Sequence, residues 1–177
     1  MTDLGALRRG TTSSGNGINN KGEITGSSSY NRSGAMHAFL YRAGKMKDLG
    51  TLGGTNSEGM SINASREVTG DSNIAGSLEV HAFLYSKGVM HDIGAGYGRS
   101  IHKYGQIVGG RQSGAFLYDN GTMTDLASLI SPSDPLQPYA EFIDATGISD
   151  TGLIVANGTD SRTGEQHGYL LTPIQLP

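Results

Sequence analysis

Histidine stands three times at one recurring position, as His37, His81 and His167, and aspartate recurs at Asp3, Asp48, Asp92 and Asp125. Converging histidines would hold a metal ion at ~2 Å, and two aspartates within roughly 10 Å of each other would supply the acid and base of a glycosidase. Gly50-Thr51-Leu52-Gly53-Gly54 has the glycine content of a phosphate loop. It lacks the Lys-Ser/Thr of that motif and opens no amphipathic helix. Asp71-Ser72-Asn73 and Asp160-Ser161 offer oxygen ligands for calcium, with too few carboxylates and without the spacing of a calcium hand. The chain has no cysteine, which removes thiolate nucleophiles, Cys-ligated metals and a disulfide framework. Convergence of the remaining groups depends on the elements that carry them.

Those elements repeat four times. His37-Ala38-Phe39-Leu40-Tyr41 returns as His81 to Tyr85, as Gly114-Ala115-Phe116-Leu117-Tyr118 and, more loosely, as His167-Gly168-Tyr169-Leu170-Leu171. Ile18, Ile62, Ile101 and Ile148 are each followed six residues later by Ile24, Val68, Ile107 and Ile154. Successive isoleucines are 44, 39 and 47 residues apart, in the range of propeller blades. The segments are short, β-branched or aromatic, and bounded by turn residues, which predicts four strands per unit. Strand a ends in the isoleucine, b begins six residues later, c is the His37 type, and d is the Met46-Lys47-Asp48-Leu49 type. The a-b turns close on Gly22, Gly105 and Gly152, with Arg66 as the departure, and the c-d turns close on Gly44, Gly88 and Gly121.

The fold predicted from this pattern is all-β, a small propeller of four four-stranded meander blades. It forms one domain with units at about 16–54, 59–94, 99–127 and 145–173. The last unit lacks strand d, and residues 1–5 carry a spare one, Met1-Thr2-Asp3-Leu4. Pairing the two would close the ring and remove exposed edges. On such a ring the recurrent histidines point into separate spaces, so they are expected to bond neighbouring backbone and not a shared metal. The aspartates, Asn19, Asn63 and Ser149 are expected to satisfy turn backbone. His91 and His102 are single occurrences, expected at the surface.

These residues resemble the bacterial HAF repeat family, named for His-Ala-Phe and usually described as extracellular repeat proteins. Its unit looks like Ile-Asn-x-x-Gly, a Val/Ile-x-Gly segment, His-Ala-Phe-Leu-aromatic and Met-x-Asp-Leu-Gly-Thr-Leu-Gly-Gly. Met46 to Gly54 is the clearest instance, and the third unit departs at Gly114 and Ala127. The resemblance covers nearly the whole chain. It implies a propeller-like fold and an extracellular or cell-surface location, without an established reaction.

Composition narrows the partners. Of 177 residues 28 are glycine, charged residues are 16%, and the net charge is −3. No basic stripe suits nucleic acid, no apolar run reaches the roughly 18 residues of a membrane span, and the first ten residues carry no signal-peptide pattern. The expectation is a monomeric, non-catalytic, secreted or surface module without cofactor or metal, binding a glycan or a protein segment. The connections between b and c and between d and a vary in length, including the long stretch from Ser128 to Asp144, and share one face. They hold the candidate binding residues Tyr30, Arg32, Tyr97, Arg99, Arg111, Tyr139 and Arg162. Two alternatives remain open: a propeller lyase or hydrolase with its site on that face, and a purely structural array.

Overall fold

The computed structural model describes residues 1–31 and 34–173, and Arg32 lies outside them. Among the described residues fifteen strands run in chain order: β1 (Ser13–Ile18), β2 (Ile24–Ser29), β3 (Met36–Arg42), β4 (Lys45–Gly50), β5 (Gly53–Ile62), β6 (Val68–Ile74), β7 (Val80–Ser86), β8 (Val89–Ala95), β9 (Tyr97–Ile101), β10 (Ile107–Arg111), β11 (Gly114–Asp119), β12 (Thr122–Asp125), β13 (Ala140–Ile148), β14 (Ile154–Asp160) and β15 (Glu165–Leu171). A 3-10 turn spans Leu126–Leu129. Among the described residues no helix is long and apolar enough to cross a membrane.

All pairings are antiparallel apart from one isolated bridge, Leu52 to Ile74. β1 to β4 and β5 to β8 are four-stranded meanders, the first two units. The third and fourth units share one seven-stranded sheet, because Gly110 of β10 bridges Asp144 of β13 while β10 also pairs with β9. The c-d turns have two residues at positive φ, Ala43-Gly44, Lys87-Gly88 and Asn120-Gly121. That conformation matches the right-handed twist of tight hairpins. Arg66 takes φ +66° in the a-b turn that lacks glycine.

The units stack through three equivalent seams. At the first, Ala38, Leu40 and Leu49 of unit one face Ile62, Val68, Phe83, Tyr85 and Met90 of unit two. The second repeats this with Ala82, Leu84 and Ile93 against Ile101, Ile107, Phe116, Tyr118 and Met123. The third sets Ala115, Leu117 and Leu126 against Ile148, Ile154 and Leu171. Strand c thus sends its alanine and leucine forward and its phenylalanine and tyrosine back, which is why both faces of c are apolar. Strand a must also lie close on the preceding b strand. A Cβ on Gly59 would strike Thr25 Oγ1, and one on Gly98 would strike Thr69 Oγ1. Those hydroxyls donate to Phe39 O and Phe83 O at 2.8 and 2.9 Å.

Three expectations are corrected. Residues 1–6 form no strand and do not complete the last unit; β15 pairs with β14, and the N-terminal segment lies on unit one, where the buried Leu7 donates its amide to Ser28 Oγ at 2.9 Å. The stretch from Ser128 to Asp144 is not loop throughout, since its last five residues belong to β13. His102 is buried, not exposed. It takes the place that Asn19 and Asn63 hold in their units, and its carbonyl accepts from Asn63 Nδ2 at 3.1 Å, as Asn63 O accepts from Asn19 Nδ2 at 3.0 Å. This ladder ties the a-b turns of three units together.

Candidate functional site

Each unit places different residues, all but one of them polar, at two fixed positions of strand a, four and two residues before its isoleucine. They are Ser14 and Asn16, Glu58 and Met60, Tyr97 and Arg99, then Asp144 and Thr146. Because successive a strands pack across one another, these positions form a continuous polar row. Asn16 Nδ2 donates to Glu58 Oε1 at 2.8 Å, and Ser27 Oγ lies 3.3 Å from the same oxygen. Asp71 stands opposite Glu58 in the β5-β6 register. Arg99 Nε then donates to Asp144 Oδ2 at 3.1 Å, with its guanidinium 5.3 Å from the ring centre of Tyr97.

Asp71 carries the main electrostatic tension of the row. Burial pushes its carboxyl up to about 6, Glu58 adds to the rise, and Arg99 offsets part of it. Two carboxyls side by side cannot both ionise freely, so this one titrates near neutrality. Asp144 Oδ1 is buried and has no hydrogen-bond partner among the described residues, and Arg111 Nε, at the end of β10, is a second such atom. An unpaired buried donor and acceptor of this kind costs ~1–3 kcal/mol each. The row therefore offers one cation, Arg99, three carboxyls, Glu58, Asp71 and Asp144, and a half-exposed tyrosine to a polar ligand.

The structure distributes the sequence-derived binding residues over separate places. Tyr97 and Arg99 stand in the row, within β9 and not merely preceding it, whereas Arg111 ends β10, one residue past the Gly110 that bridges Asp144. Tyr30 follows β2, stacks on His37 with ring centres 4.2 Å apart and lies under Arg8. Arg162, in the β14-β15 turn, holds Asp160 at 2.6 Å and covers Tyr139 at 4.6 Å. Tyr139 is five residues from Asp144 along one strand line, ~16 Å at the rise of an extended chain, so this pair does not join the row.

The recurrent histidines do not bond backbone as expected. His37 Nδ1 meets Asp48 Oδ1 at 3.0 Å and His81 Nδ1 meets Asp92 Oδ1 at 2.8 Å, tying c to d within a unit. The signal was present in the sequence as an identical eleven-residue spacing. The aspartates also accept the amide two residues on: Gly5 for Asp3, Gly50 for Asp48, Gly94 for Asp92 and Ala127 for Asp125. Among the described residues no three His, Asp or Glu side chains form a metal-holding group.

A second concave feature, a cleft of about 830 Å³, opens between units three and four and is lined by Leu117, Leu126, Leu129, Phe142, Tyr169 and Leu171. No protein-family model, curated protein or solved structure matches the chain.

Proposed function

We propose that this chain is a non-catalytic module of propeller-type blades, of the HAF repeat kind and secreted or displayed at a cell surface, that binds a glycan or protein segment at the polar row. The observation that carries the reading is the Tyr97-Arg99-Asp144 arrangement, with the partnerless Asp144 Oδ1 in it. An aromatic ring next to fixed charges is a common recognition surface for polar ligands. The meander units, each with strand a laid on the preceding sheet, support the propeller reading, and the His-Ala-Phe recurrence supports the family and its location. A screen of neutral and acidic oligosaccharides and of a peptide library tests the reading. Tyr97→Ala and Arg99→Ala should each weaken any hit about tenfold or more, while Lys87→Ala, in a turn at the opposite end of the strands, should not. Equal losses from both ends, or no hit from either library, would refute it.

One observation favours a second reading, a lyase or hydrolase using the same row: Asp71 titrates near neutrality beside Glu58, as a general acid must. Turnover of any polysaccharide in that screen, abolished by Asp71→Asn with binding retained, would establish this reading over the first.

A further inference from the structure

We infer that the edge of β15 left unpaired among the described residues is a docking site for residues 1–5 of a second copy of this chain, which lie there as a strand d and join copies head to tail. The vacancy has a defined shape. In units one to three, strand c carries strand d in one register: Phe39 opposite Asp48, Phe83 opposite Asp92 and Phe116 opposite Asp125, with Tyr41, Tyr85 and Tyr118 opposite Met46, Met90 and Met123. β15 presents Tyr169, Leu170 and Leu171 at those positions and pairs on one side with β14, with no partner on the other among the described residues. The apolar cleft lies against this edge. Met90 and Met123 pack into the first and second seams, whereas the third has no methionine.

The occupant is written at the other end of the chain. Met1-Thr2-Asp3-Leu4 is identical to Met123-Thr124-Asp125-Leu126 and continues into Gly5, as Asp48-Leu49 continues into Gly50. Its backbone already has the form of a strand-d end leading into the next unit. Gly5 N donates to Asp3 Oδ1 at 3.0 Å with φ +72°, as Gly50 N does to Asp48 Oδ1 at 2.8 Å with φ +79°. Leu7 N donates to Ser28 Oγ at 2.9 Å, as Leu52 N does to Ser72 Oγ at 2.9 Å. Ser13 Oγ donates to Gly5 O at 2.6 Å, as Ser57 Oγ does to Gly50 O at 2.5 Å. Residues 3–7 thus sit on unit one as strand d of a preceding unit would, with no strand c beside them among the described residues.

The free faces at the two ends complement each other in the same way. Ile18 is 68% exposed, whereas Ile62 and Ile101, at its position in the first and second seams, are 7% exposed; Leu170, at the forward leucine position, is 70% exposed. His167 meets Glu165 at 3.7 Å, where His37 and His81 have an aspartate at the strand-d position. Asp3 is the residue that would fill that place. The seams join unit one to two, two to three and three to four, and among the described residues none covers the forward side of unit four. Residues 5–7 of the same chain are bonded to unit one, so a second copy is the occupant, and the contact would repeat a seam that the chain already builds three times.

The register permits a direct test in a chain without native cysteine. Thr2→Cys and Leu170→Cys would be opposite one another, within disulfide reach. The double variant, oxidised mildly, should give dimers and longer ladders on a non-reducing gel, while Thr2→Cys with Val89→Cys should not. A thiol-free product of monomer mass would overturn the second copy in favour of the chain's own ring closure. Absence of any bond would overturn the docking site itself. Light scattering should show mass rising with concentration for the full chain and not for a chain lacking residues 1–5. A synthetic peptide of residues 1–8 should bind that shortened chain, about tenfold more weakly when Asp3 is alanine or the chain carries His167→Ala; unchanged binding would remove the histidine–aspartate contact from the inference.

Discussion

Replacing Asp71 by asparagine should stabilise the protein at neutral pH and leave it unaltered in acid. The carboxyl's ordinary value of 3.8 rises to about 6 in the fold, first because it is buried and then because Glu58 faces it. With the folded value above the unfolded one, ionisation costs the native state more than the unfolded chain. The penalty is absent below the unfolded value, grows as pH rises between the two values and stays constant above about 6. A shift of roughly two units corresponds to ~3 kcal/mol. Asp71 is only partly buried, so solvent screening reduces this to ~1–2 kcal/mol. Asparagine has the same shape and no charge, so it should recover that amount, about 2–4 °C in Tm per kcal/mol for a chain of this length. The loss of the Arg99 attraction is already contained in the net shift. Urea denaturation of the parent and Asp71→Asn at about pH 4, 5.5 and 7.5 measures it: the difference should be near zero at the first and largest at the last. A gain of equal size at all three, or a loss at the last, would refute the assignment of strain to the buried charge.

Other outcomes follow from the seams and turns. Gly98→Ala should cost ~1–3 kcal/mol in urea denaturation, since its Cβ strikes Thr69 and lies 3.0 Å from Gly70 O, while Gly15→Ala, whose Cβ would meet Ile24 at 3.5 Å, should change stability by less than ~0.5 kcal/mol. Asn63→Ala should cost ~2–3 kcal/mol, because the side chain closes its own turn through Ser65 and Glu67 and also holds His102 O. Glu23 should give a stability loss in acid: burial would raise its carboxyl, but Asn19, Arg66 and Arg42 outweigh that and hold it below 4.5. Its contribution is thus complete above 4.5 and disappears as pH falls through the lower folded value; Arg66→Ala should shrink this acid limb in a Tm-against-pH profile, and an unchanged profile would separate Glu23 from the arginines.

The strands and turns were legible because local chemistry determines them. Lys87-Gly88 and Asn120-Gly121 specify tight turns wherever they stand, and alternation around Phe39 or Phe83 specifies a strand with two covered faces. Which side chains meet across strands was harder to read. His37 and Asp48 stand at opposite ends of a hairpin in the sequence, and their meeting needs the register of β3 on β4, including its bulge between Ala38 and Phe39. His102 looked isolated because its role is played by its carbonyl, which carries no residue-type signal. Arg66 hid a left-handed turn because Glu23, 2.9 Å from its Nε, helps hold a conformation that glycine adopts without cost. The N-terminal segment was read as a strand d completing the last unit, whereas residues 1–6 form no strand; what Met1 to Gly5 encodes locally is the bend at Gly5, whose amide donates to Asp3 Oδ1.

A ligand site in a repeat of this kind is expected at positions that vary, and the reason is mechanical. The residues that recur are consumed by the seams: alanine and leucine face forward, isoleucine, phenylalanine and tyrosine face back, and His37 and His81 lock c to d. A ligand that used them would have to open the core. Strand a, by contrast, crosses the preceding sheet at a glycine or alanine, at Gly59, Gly98 and Ala145, and the residues on either side of that crossing are free of seam packing. Four units therefore present four independent choices along one line, here Asn16, Glu58 with Asp71, Arg99 and Asp144, without altering the fold. The raised Asp71 carboxyl and the partnerless Asp144 Oδ1 lie on that line because the scaffold constrains their backbone and leaves their charge unspecified.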